Sequence, residues 1–283
     1  MPNRFDNSLL LLPLFACMGF APEKHHFVWD DINTREVMRW EGDTAVIKQG
    51  TQMQELEYEL RVDQKDVVFA TESFGIPESW TTISYSDEKD LAAKQRALEH
   101  KAGLHGIKMQ NGGNQFLVDY AWVITKSVSP LKQSAKTIRS TARRQGYRST
   151  RELVGVFASF VQTLEYRIPN DFRINEEGEK ILTAGAIMPL ESLSKKWGDC
   201  DTKSLLFASL VRSIDLVDVC FIVIDDHLFA GVQIRAEQDD HSIRHRGRDW
   251  VLVELSDSWP IGRIPLNHHN GIVKGKYEVV DLP

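Results

Sequence analysis

With 283 residues, 42% of them hydrophobic and 26% charged, the chain can bury a sizeable core, which argues against a disordered or fibrous protein. A net charge of −6 removes any electrostatic reason to expect nucleic acid or an anionic membrane surface as partner, because phosphate binding needs clustered surplus Lys and Arg. Three dispersed cysteines, Cys17, Cys200 and Cys220, contain no CxxC pair and support neither a disulfide framework nor a cysteine zinc site.

In chain order, Ser8 to Cys17 is an apolar run too short to span a bilayer as a mature helix. Its length suits a secretory h-region following Arg4, and Leu14-Phe15-Ala16-Cys17 resembles a bacterial lipoprotein cleavage box in which Cys17 takes the lipid. That reading puts the protein in the cell envelope or periplasm, with membrane attachment through lipidated Cys17. Asp6 and Phe15 depart from the pattern, so a cytoplasmic protein with an apolar first segment is the alternative.

From about 18 to 125 the sequence reads as a strand-rich N-terminal region. Leu56, Tyr58, Leu60 and Val62 alternate with charged residues, and 67–70 and 115–124 read as further strands, the last carrying Asp119, Tyr120 and Trp122. Between them Asp87 to Ala102 is a helix capped by Ser86 or Asp87 and closed by Gly103. Asn111-Gly112-Gly113-Asn114 is a turn. From 126 to 283 the period becomes helical first: Pro130 opens a helix to Gln145, and Leu153, Phe157, Phe160, Val161 and Leu164 form one apolar stripe over Ser149–Tyr166. A polar loop over 170–180 leads to a third helix at Gly198-Asp199, and strands at 217–224, 227–234 and 250–255 close the chain, with His241 and His245 in a solvated loop between the last two.

The chemistry concentrates in this second half. Asp199 is a good N-cap and Gly198 permits a tight entry, so Cys200 heads a helix that is apolar on nearly every face and therefore buried. Orphan amides and the positive dipole end favour thiolate there, although Asp201 works against it. His227 starts a strand and is the candidate base. Glu254 is a carboxylate in an otherwise apolar strand, where an unpaired charge would be costly, and it is the candidate orienting acid, with Asp257 as rival. Gln162 is a candidate oxyanion donor or a solvated helix residue, and Trp197 a candidate cleft wall or packing aromatic. Cys220 among Val219, Phe221 and Ile222 is core. The adjacent pairs His25-His26 and His268-His269 are poorly placed to share an ion, so no metal and no cofactor is expected.

Gly198-Asp199-Cys200-Asp201-Thr202-Lys203, then an apolar helix, then strands bearing His227 and an acid, resembles the transglutaminase-like superfamily, including its bacterial cysteine-protease-like members. The likeness covers about 126–265. It implies an α+β, papain-like core with the nucleophile-bearing helix packed on an antiparallel sheet. It also implies acyl transfer on a protein or peptide substrate, either hydrolytic or transamidating. A non-catalytic transglutaminase-like scaffold at the cell envelope is the alternative, and oligomeric state stays open.

Overall fold

The computed structural model describes residues 23–31, 35–41, 44–50, 54–110 and 115–283, with side chains described over 60–110 and 115–283. The expected leader at 1–17, Cys17, the turn at 111–114 and the side chains of His25 and His26 lie outside that set.

Strands β1 (Glu23–Asp31) and β4 (Gln54–Val62) pair antiparallel along their length, and so do β2 (Arg35–Glu41) and β3 (Thr44–Gly50). Helix α1 (Gln64–Ser73) follows, then short β5 (Ile76–Pro77), one 3-10 turn at Glu78–Thr81, α2 (Glu88–Gly103), and the pair β6 (Ile107–Gln110) and β7 (Gln115–Val118). Next come α3 (Tyr120–Arg144), α4 (Thr150–Gln162), β8 (Glu165–Tyr166), β9 (Phe172–Ile174), β10 (Lys180–Leu182), α5 (Pro189–Lys195), β11 (Trp197–Gly198) and α6 (Cys200–Arg212). The chain ends with β12 (Val219–Ile224), β13 (His227–Val232), β14 (Ser242–His245), β15 (Arg248–Val253), α7 (Leu266–Val273) and β16 (Glu278–Asp281). Five of these strands form an antiparallel sheet in the order β14-β15-β13-β12-β16, and the architecture is α+β.

Helix α6 lies on this sheet. Leu205, Leu206, Phe207 and Leu210 from the helix join Leu228, Ala230, Val232, Val251 and Val253 from the strands in one core, which α3, α4 and α5 complete. The period of two then assigns the alternate strand residues Phe229, Cys220, Trp250 and Leu252 to a smaller cluster on the opposite face, covered by Ile272 of α7. Cys220 is fully buried there.

Four local readings need correction. Residues 67–70 belong to a helix: the Asp63 side chain caps α1 by accepting from the Lys65 amide, and Val67 and Ala70, three apart, are the buried pair while Phe69 is exposed. The segment 115–124 stops being a strand at Asp119, whose carboxylate accepts the Trp122 amide and starts α3, so Tyr120 and Trp122 are helical. Pro130 lies inside α3 instead of opening it; one lost helix hydrogen bond is outweighed by burial of Leu131, Ala135, Ile138 and Ala142 along the same face. His245 ends a strand, because Arg246 and Gly247 both take positive φ and make a two-residue turn into β15. Helix α3 also runs across the 125/126 boundary.

Candidate active site

Cys200 is the first residue of α6. The Asp199 carboxylate accepts the Thr202 amide at 3.0 Å, and a side chain at Gly198 would run into the Thr202 methyl, so glycine is needed for this close approach. Helix α6 packs against β13, and the Leu228 backbone N–H, part of the peptide joining His227 to Leu228, pulls the thiol down only as the smallest of the influences on it. Its own proton points elsewhere: Cys200 Sγ donates to Asp201 Oδ1 at 3.5 Å, while the Tyr120 hydroxyl donates to Asp201 Oδ2 at 2.6 Å. Burial first, then the charges of Asp201 and Asp199, push the Cys200 thiol up to about 12. The helix terminus expected to favour thiolate is outweighed.

His227 Nε2 and Glu254 Oε2 are 2.7 Å apart, with the two side chains 9% and 1% exposed. A carboxylate can only accept, so Nε2 carries the proton and Nδ1 is the nitrogen left with a lone pair. The other carboxylate oxygen accepts the Ser256 amide at 2.7 Å and the Ser256 hydroxyl at 2.6 Å. Burial raises the Glu254 carboxyl, but the bonds from His227 and Ser256 outweigh it and leave the group below its usual range. Asp257 is exposed, and its carboxylate accepts the adjacent Ser258 amide, so the imidazole is bonded to Glu254 and not to Asp257.

Gln162 is buried, and its amide nitrogen donates to the Glu254 carbonyl at 2.7 Å and the Trp259 carbonyl at 2.8 Å. Both protons are engaged in fixing the backbone around Glu254, so the residue is neither solvated nor available to an oxyanion. Trp197 is half-buried on β11, with the Arg167 guanidinium 4.9 Å from its ring centre.

Several neighbours were not anticipated. Tyr120 reaches Asp201 across 81 residues of sequence. Lys203, 1% exposed, sends its ammonium toward the carbonyls of Ser256 at 3.3 Å and Gln162 at 3.5 Å, and burial pulls it down to about 8 despite attraction from Glu254 and Asp257. The His268 ring stacks on His227 with centroids 4.8 Å apart and planes 10° apart, and Phe229 meets His227 edge-on at 4.6 Å. A local cue existed only for Lys203, a charged residue in an otherwise buried helix. Among the described residues, no group of three His, Cys, Asp or Glu is arranged to hold a metal ion.

No family model matches the chain. No curated protein matches it either. Among solved structures, one from Parabacteroides distasonis ATCC 8503, described as a "putative protease", aligns at 10% identity over 87% of this chain and 43% of its own, with a TM-score of 0.29. This chain thus spans less than half of that protein, and at that score the likeness transfers neither fold nor activity.

Proposed function

We propose that the protein is a thiol-dependent acyl-transfer enzyme acting on peptide or amide bonds and ending in hydrolysis, with Cys200 as nucleophile, His227 as proton carrier and Glu254 as the acid that orients it. The observation that supports this most is the buried 2.7 Å pair of His227 and Glu254, held on the strand against which the Cys200 helix packs. In the cycle, Cys200 gives its proton to His227 Nδ1 as sulfur attacks the carbonyl carbon. The oxyanion so formed takes the Cys200 backbone N–H, an orphan donor of the first helical turn. Collapse to a thioester expels the amine, which leaves with the proton from His227. Water then attacks the thioester, losing a proton to His227, and the departing sulfur recovers it.

Because the thiol rests neutral and bonded to Asp201, proton transfer has to accompany attack instead of preceding it. The same fact favours a second reading, a peptide-binding module of this fold that does not turn over. The two part on acyl-enzyme trapping: the full chain is mixed with a fluorogenic peptide and quenched in acid for intact-mass analysis. The enzyme reading expects a thioester adduct lost in Cys200→Ala, turnover reduced about 10³–10⁴-fold in His227→Ala, and turnover reduced on the order of 10²-fold in Glu254→Gln. Peptide binding without adduct or product, unchanged by Cys200→Ala, leaves the module. Adding an amine acceptor to the same reaction separates hydrolysis from transamidation.

A further inference from the structure

A concavity lined in part by Trp197, three residues before Cys200, contains none of the groups assigned to acyl transfer. It has a volume of about 190 Å³, and its charged lining consists of Arg167, Arg173, Lys195 and Glu191. Glu191 is already neutralised, since Lys195 Nζ is 2.6 Å from one carboxylate oxygen and the Thr71 hydroxyl donates to the other. Lys195 and Glu191 cancel, and Glu72 also attracts Arg173, so the surplus positive charge is Arg167 together with a partly compensated Arg173.

The guanidiniums are held differently. Arg173 Nη2 donates to the carbonyls of Thr71 at 2.9 Å and Phe74 at 3.3 Å, which fixes the plane of the group, while its buried Nε has no partner among the described residues. Burial also holds Arg173 below its ordinary value, which marks a charge poorly served by solvent. Arg167 is exposed at the mouth, its side chain laid on the Trp197 ring and its amide bonded to the Gly198 carbonyl at 3.1 Å. Beside it Ile168 and Phe172 expose apolar surface, at 71% and 40%.

Drug-sized ligands occupy roughly 300–1,000 Å³, so this volume suits one amino-acid side chain. Arginine pairs suit a carboxylate. Trp197, which lines the pocket, stands three residues before Cys200, and three residues of extended chain span at most about 10 Å. We infer that the pocket is a specificity subsite that takes the carboxylate of an Asp or Glu side chain, within about three residues of the bond attacked at Cys200, in a peptide substrate. The substrate assignment rests on the acyl-transfer reading above; the carboxylate recognition does not.

The test separates binding from turnover. Rhodamine-labelled hexapeptides, in which a single Glu or a single Gln walks through an alanine background, are titrated by anisotropy into the full chain carrying Cys200→Ala. One Glu position is expected to bind about tenfold tighter than its Gln counterpart. Arg167→Gln and Arg173→Gln should each bring that ratio toward one while leaving the Gln peptide's affinity in place, and about 0.5 M salt should weaken the Glu peptide selectively. Arg167 lies on the surface, so its variant carries the test even if Arg173→Gln fails to fold. Equal affinities at every position, a Glu preference untouched by the arginine substitutions, or no binding up to about 1 mM overturns the subsite. A Glu preference in binding, without turnover by the Cys200 chain, keeps the pocket and removes the enzyme. Turnover of Glu and Gln peptides at equal rates does the reverse.

Discussion

Asp201 controls what Cys200 can do. Its carboxylate accepts the thiol proton and, after burial, does most to keep the sulfur neutral. Asp201→Asn removes that charge at nearly constant shape, so iodoacetamide should alkylate Cys200 roughly tenfold faster at mildly alkaline pH, with buried Cys220 as internal control in the same digest. An unchanged rate would mean that burial alone sets the thiol. At this scale the sequence is legible where a residue's own neighbours decide its fate. A cap before Cys200, a strand start at His227 and a carboxylate among apolar residues at Glu254 are all local patterns. Gln162, Tyr120 and His268 were unreadable because their roles come from partners brought close only by the fold: the Glu254 carbonyl, Asp201 and the face of His227. Even the misreading of Gln162 as a solvated residue has this cause, since its exposure depends on what α4 packs against.

Among elements, α4 is specified most completely by its own residues. Ser149 and Glu152 form a full capping box, with the serine hydroxyl accepting the Glu152 amide and the glutamate reaching back to the Ser149 amide. Ser149→Ala should lower unfolding free energy by about 1 kcal/mol in urea titration with the slope unchanged. A loss near zero would show that tertiary packing alone holds the helix start. The same helix is tied to the segment between β13 and β14 by Arg151, whose two terminal nitrogens each meet an Asp240 oxygen at 2.8 Å. Helices α1 and α3 depart from their local sequence signals for opposite reasons. In α1, the β-prone Val67-Val68-Phe69 run is overruled by which two positions are buried. In α3, Pro130 reads as a start, but an interior proline is tolerated where a long apolar face is already docked on α6.

The whole molecule responds to pH through its buried groups. Lys203 falls from 10.5 to about 8 on folding, so its contribution to stability is fully present above about 10.5 and is lost as pH falls through 8, where a charged amine has to stay buried. Replacing it with methionine removes that penalty, so Lys203→Met should gain most on the wild type at pH 7, with the difference narrowing by about 3 kcal/mol toward pH 10.5. Paired thermal melts across that range check it, and a constant difference would contradict the depressed value. Cys200 runs the other way: raised from 9.0 to about 12, it contributes fully below 9 and loses that contribution as pH climbs toward 12, and Cys220 does the same.

Tyr120 gives this linkage an anatomical side. A fragment beginning at residue 126 would retain sulfur, imidazole and glutamate, yet it would lack the phenol that quenches one oxygen of Asp201. Freed of that donor, the aspartate would turn its full negative field on the thiol. Trimming the polypeptide to its apparent chemical essentials would thus set a stronger negative field against a loosened burial, and burial is the larger of the two influences on the sulfur.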